Sequence, residues 1–165
     1  MILINHRERY VSIFYRFSVP PSTVQEKEIF TMPKYIEVTA AIMEKKGKIL
    51  IAKRKVGSHL AGKWEFPGGK VEPGESPQEC LQRELQEELA IHVQVEKFIG
   101  VNIHHYSHLS IMLLAYHVLW KAGDFRVKAH DCIKWVSIAR LDEYDFAPAD
   151  VPFVEKLKTG EIELR

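Results

Sequence analysis

The chain has 165 residues, 46% hydrophobic and 27% charged, the composition of an ordinary globular domain with a sizeable core. Its 23 Lys and Arg against 22 Asp and Glu leave a formal charge of +1, far from the basic excess usual in proteins that bind polymeric DNA or RNA. Two cysteines, Cys80 and Cys132, stand far apart and outside any CxxC spacing, which excludes a disulfide framework and a zinc ribbon.

Residues 1–31 hold aromatic patches, then Pro20-Pro21-Ser22, then a polar stretch through Glu28. Arg7, Glu8, Arg9 and Arg16 interrupt the apolar runs, so the core of a signal peptide is missing and the cytoplasm is the expected compartment. Two readings of this segment stand: an extra strand packed on the domain, or a tail upstream of the true start. Met32-Pro33-Lys34, immediately before the first regular strand, favours the tail. The expected division is an N-terminal extension over 1–31 and one domain over 32–165.

From Tyr35 the pattern is regular. YIEVTAAIM and KILIAKR, separated by a turn at Lys45–Gly47, predict a β-hairpin over 35–54. VGSHLAGKW reads as a loop and WEFPGG as a short strand ending in a turn. Cys80, Leu81, Leu85 and Leu89 then mark one face of an amphipathic helix, with Ser76 as N-cap, Pro77 at N1 and Glu79 completing a capping box. Strands follow at about 91–105, 109–120 and 132–138. The apolar run Leu109–Trp120 is too short to cross a bilayer and includes Ser110 and His117, so it reads as a strand. Ala149–Lys158 predicts a second helix with Asp150 as N-cap and Pro152 in its first turn. Strands and helices mix without βαβ regularity, so the expected class is α+β, an α/β/α sandwich with a mixed sheet between helices.

The first helix also carries Glu84, Glu87 and Glu88 at i, i+3 and i+4, on the side broadly opposite the leucines. Taken alone, three such acids fit a solvated charged face as well as a cation site. Their context is more specific. Pro67-Gly68-Gly69-Lys70 forms a turn, Glu75 lies six residues after Gly69, and Arg83-Glu84 follows eight residues later. The segment resembles the box of the Nudix family: Gly, five residues, Glu, seven residues, then Arg-Glu-apolar-x-Glu-Glu-x-Gly-apolar. Every fixed position matches except the last glycine, here Ala90. Six fixed residues at fixed spacing arise by chance roughly once in a million windows or less.

The chemistry of the pattern is coherent. Phosphoanhydride hydrolysis needs divalent cations, and Mg²⁺, with Mn²⁺ as a substitute, is a hard ion suited to carboxylates on a rigid helix. Lys70 is placed to meet a phosphate as a point charge, and Arg83 is placed to pair with Glu75 and hold the loop on the helix. The resemblance implies that the Gly69 carbonyl, Glu84, Glu87 and Glu88 form the metal site, supported by Arg83 and Glu75. It further implies a ligand or base from an acid ahead of a later strand, for which Asp131 is the candidate beside Glu84.

Outside the box, Arg54, His59, WEFPGGK and FAPAD at 146–150 are similar to the MutT-type branch, including bacterial CTP pyrophosphohydrolases. The resemblance spans about Lys34 to Lys158. It implies that Arg54 touches phosphate, that Phe66 and Asp150 line a base pocket, and that His59 belongs to the substrate site. The expected partner is a small-molecule nucleotide, with neither polymeric nucleic acid nor membrane, in a monomer or homodimer. The expected activity is pyrophosphohydrolysis of CTP-type or oxidised (d)NTPs in nucleotide-pool sanitation. Two alternatives remain: a Nudix hydrolase of ADP-ribose or a nucleotide sugar, and a Nudix-fold module that binds a nucleotide without hydrolysing it. Ala90 stands where glycine would adopt the left-handed conformation that closes the helix, at a cost on the order of 1 kcal/mol.

Overall fold

The computed structural model describes residues 35–164 and two short strands before them, β1 (Ile2–Asn5) and β2 (Tyr10–Ile13). Met1–Lys34 and Tyr35–Arg165 form two compact units. In the first, β1 and β2 pair antiparallel with Ile2 opposite Ile13. The expected start at Met32 lies outside the described residues.

The second unit contains β3 (Tyr35–Ile42), β4 (Glu44–Lys45), β5 (Lys48–Arg54), β6 (Trp64–Glu65) and α1 (Pro77–Leu89). These are followed by β7 (His92–His105), β8 (Ser110–Ala122), β9 (His130–Ser137), a 3-10 turn at Ile138–Glu143 and α2 (Val151–Thr159). β3 runs parallel to β8, which pairs antiparallel with β7. β5 pairs antiparallel with β4, β6 and β9. The class is the expected mixed α+β. Among the described residues, no helix is long and apolar enough to cross a membrane.

The expected hairpin over 35–54 is corrected. Only β4 and β5 form a hairpin, while β3 lies beside β8 in another sheet. Residues 40–43 are fully buried, as in a parallel strand covered on both faces. Their alternation explains the layering. Ala40, Ile42, Ile49 and Ile51 join the core with Phe153, Val154 and Leu157 of α2. Ala41, Met43 and Leu50 join the core with Leu81, Leu85 and Leu89 of α1. Successive side chains thus feed opposite cores, which places sheet between the two helices.

Helix α1 begins with the full capping box: Ser76 Oγ accepts from the Glu79 N–H and the Glu79 carboxylate accepts from the Ser76 N–H. It ends on Ala90 at φ 58°, ψ 33°, the left-handed conformation. The N–H groups of Arg126 and Lys128 then donate to the last-turn carbonyls of Leu89 and Glu88, both at 2.9 Å. Ala90→Gly is expected to stabilise the protein by about 1 kcal/mol, read as a Tm a few degrees higher with unchanged turnover.

Asp150 occupies the N-cap position of α2 but makes no side-chain cap hydrogen bond there. This corrects its expected capping role. The first turn relies instead on Pro152 and on backbone bonds to the Asp150 carbonyl.

Candidate active site

The glycine turn is shaped by its contact with β3. The N–H of Ala41 donates to the Pro67 carbonyl at 2.8 Å, that of Thr39 to Gly69 at 2.7 Å, and that of Val71 to Glu37 at 3.0 Å. A Cβ on Gly68 would sit 2.2 Å from the Thr39 carbonyl oxygen, and one on Gly69 would sit 2.2 Å from Glu84 Cδ. Only glycine lets the loop touch the strand at one residue and the Glu84 carboxylate at the next. The Gly69 carbonyl also accepts from the Thr39 hydroxyl at 3.1 Å, so it faces β3 in this arrangement.

Arg83 joins this loop to α1. Its Nε and one terminal nitrogen donate to the two Glu75 oxygens at 3.0 and 2.7 Å, a two-pronged pair. Its other terminal nitrogen reaches Glu84 at 2.9 Å and Glu87 at 3.3 Å. The hydrogen bond from Arg83 is the main cause that holds the Glu75 carboxyl down at about 2, against its ordinary 4.5. The folded value lies below the unfolded one, so this pair stabilises fully above pH 4.5 and loses its effect as pH falls towards 2. Glu75→Gln is expected to lower Tm by several degrees at pH 7, and the gap to the parent should close over that acidic window. A gap independent of pH would contradict the pairing.

A second charge network runs under the first. Arg54 donates to Glu65 at 2.5 Å, and the other Glu65 oxygen lies 2.9 Å from His130 Nε2. His130 Nδ1 faces Glu88 Oε2 at 3.9 Å. Those last two atoms are buried and have no hydrogen-bond partner among the described residues. Burial pushes the Glu88 carboxyl up to about 7; Glu84 and Glu65 add to the rise and His130 opposes it.

The structure does not bring every candidate together. Glu84 and Glu88 are half-buried, whereas the Glu87 side chain is 61% exposed. Asp131 is exposed, with no hydrogen bond or ion pair among the described residues, while its neighbour His130 turns inwards. The register of β9 against β5 slips here, Lys53 opposing Cys132 and Arg54 opposing His130, so Asp131 is the bulged residue. Among the described residues, no three acidic, His or Cys side chains already surround one metal-sized point. Their chemistry nevertheless suits a hard divalent cation. A buried carboxylate oxygen without a partner is costly unless a positive group meets it.

A cavity of about 340 Å³ opens beside this cluster, lined by Arg54, His59, Phe66, Gly69, Lys70 and Asp150. Asp150 is 5% exposed, and its Oδ1 accepts from the Phe66 N–H at 3.0 Å. Burial, with Glu65 adding, holds its carboxyl well above the usual range. The His59 ring stands edge-on to Tyr106 at 5.3 Å, and its carbonyl accepts from Arg54 Nε at 2.6 Å. Lys70 is exposed at the rim. A comparable groove of about 370 Å³ lies over Lys45, Trp120 and Trp135, but the Lys45 ammonium already covers the Trp120 ring at 4.0 Å.

Glu65, His130 and Tyr106 were not legible as site residues. Glu65 sits in WEFPGG next to a candidate, and His130 sits one residue before Asp131, hidden by the bulge.

The family model described as NUDIX domain matches residues 38–156. CTP pyrophosphohydrolase of Escherichia coli K12 is 44% identical over 122 residues, 74% of this chain and 90% of that protein. The 8-oxo-dGTP diphosphatase of the same organism is 34% identical over 127 residues, 77% of this chain and 98% of that protein. The solution structure of the E. coli ORF135 protein superposes with TM-score 0.70 at 42% identity, covering 78% of this chain and 92% of that one. The crystal structure of MutT protein from Methanosarcina mazei Go1 gives TM-score 0.71 at 26% identity, covering 79% and 98%.

Proposed function

The chain belongs to the Nudix family, and from that membership we propose that it hydrolyses nucleoside triphosphates to the monophosphate and diphosphate in a divalent-metal-dependent reaction. The substrates we favour are CTP-type nucleotides and oxidised (d)NTPs, the classes named for its relatives. One observation carries the reading: the box residues Gly69 and Lys70 line the same cavity as Phe66 and Asp150, so phosphate and base can be held at once.

Glu84, Glu87 and Glu88 are the proposed holders of Mg²⁺ or Mn²⁺. The bound ion would neutralise phosphate charge and acidify a water. Arg54 commits one N–H to Glu65 and one to the His59 carbonyl, leaving three of its five donors for phosphate oxygens. Lys70 adds a point charge at the rim. The base that takes the proton from water is assigned to Glu84, whose carboxylate is packed against Gly69, or to Asp131 should the bulge turn it inwards.

At the base end, Asp150 Oδ1 accepts from the Phe66 amide while burial disfavours the charged form of the carboxyl. In the protonated form its other oxygen presents an O–H donor to the cavity. Asparagine supplies a donor of similar reach, and alanine none. Asp150→Asn is expected to keep kcat/KM for CTP within about 10-fold, while Asp150→Ala loses more than about 30-fold and narrows the gap between CTP and UTP. Measuring kcat/KM for CTP, dCTP, dGTP, UTP and dTTP on the three proteins tests both the substrate class and this residue. Equal damage from asparagine and alanine would show that Asp150 works as an ionised acceptor.

A further inference from the structure

We propose that His130 is a positioning residue that ties the phosphate-binding Arg54 to the α1 carboxylate Glu88, a role that rests on the metal and phosphate sites proposed above. The residue is 5% exposed, so its ring is held from all sides. Nε2 meets Glu65 at 2.9 Å, and Glu65 in turn holds Arg54 at 2.5 Å. Nδ1 and Glu88 Oε2 face each other at 3.9 Å, both buried and both without a hydrogen-bond partner among the described residues. Unpartnered buried polar atoms are rare in folded proteins, and a pair aimed across one gap marks a place where function outweighs stability.

The backbone enforces this arrangement. The Lys128 N–H donates to the Glu88 carbonyl at 2.9 Å, which locks the segment leading into β9 onto the turn of α1 that carries Glu88. The bulge between β5 and β9 then turns His130 inwards opposite Arg54. One planar ring therefore has Glu65 at one nitrogen and Glu88 behind the other. A rotation that moved either carboxylate would disturb both, which couples the two halves of the site. Groups that orient ligand side chains in this way commonly change metal affinity 10–100-fold when removed.

The two ring nitrogens can be tested separately. The amide nitrogen of glutamine reaches the region of Nε2, and that of asparagine the region of Nδ1. His130→Gln is expected to keep KM for CTP within about 3-fold and to weaken Mg²⁺ binding to the nucleotide-free protein about 10-fold by calorimetry. His130→Asn is expected to do the reverse, and His130→Phe to lose both. Wild-type behaviour in all three, or the same combined loss in all three, overturns the proposal. Should the variants fail to fold, ¹⁵N NMR of the wild-type imidazole decides: the Nδ1 resonance is expected to shift on adding Mg²⁺, and an unmoved resonance overturns it. A wild-type protein that binds no Mg²⁺ would instead refute the carboxylate site itself.

Discussion

Glu88→Gln is expected to lower kcat for CTP by at least about 100-fold while leaving the Tm of the metal-free protein unchanged or higher. The two halves of this result have one cause. Glu88 is the acid of α1 that burial pushes up to about 7, and its inner oxygen meets only the unpartnered Nδ1 of His130. Without a cation, the folded protein bears the cost of a poorly solvated charge, which glutamine removes at nearly constant volume. With a cation, that same charge is what binds it. Near-parental turnover at saturating Mg²⁺, or a large fall in the metal-free Tm, would contradict this assignment.

Gly68→Ala and Gly69→Ala are expected to fail in different ways, although they are neighbours in one turn. The added methyl at Gly68 meets the Thr39 carbonyl at 2.2 Å, and β3 is backbone tied along its length to β8, which leaves it little room to retreat. Its cost should be about 3 kcal/mol or more, lowering Tm by roughly 10 °C. The methyl at Gly69 meets the end of the Glu84 side chain at 2.2 Å, and that side chain can swing away. Stability should then change little, while kcat falls about 100-fold because a proposed metal ligand has left its place. Thermal denaturation and steady-state kinetics on both variants check the contrast. A matching stability loss in the two would show that Glu84 is as rigid as the strand.

The local rules of the chain were readable because they act within a few residues. The capping box of Ser76 and Glu79, the leucine face of α1 and the left-handed end at Ala90 are set by neighbours three or four positions away. The metal-site pattern was equally local, since Gly69 to Glu88 lies on one loop and one helix. Pairing across the chain was not. A turn at Lys45–Gly47 suggests that β3 and β5 are partners, but the backbone of β3 pairs with distant β8, and the two faces of 40–43 are covered by the cores under α2 and α1. Asp150 shows the same limit. Its position before Val151 and Pro152 looks like an N-cap, yet its carboxyl is claimed by the Phe66 amide, 84 residues earlier. His130 was hidden by a one-residue bulge, which decides whether it or Asp131 turns inwards and leaves no mark in composition or periodicity.

The reaction itself is tested most directly by ³¹P NMR of CTP incubated with the wild-type protein and Mg²⁺. The account predicts that the triphosphate signals give way to those of CMP and diphosphate, and that chelating the metal stops the conversion. Formation of CDP and inorganic phosphate, or CTP left intact with Mg²⁺ present, would contradict it.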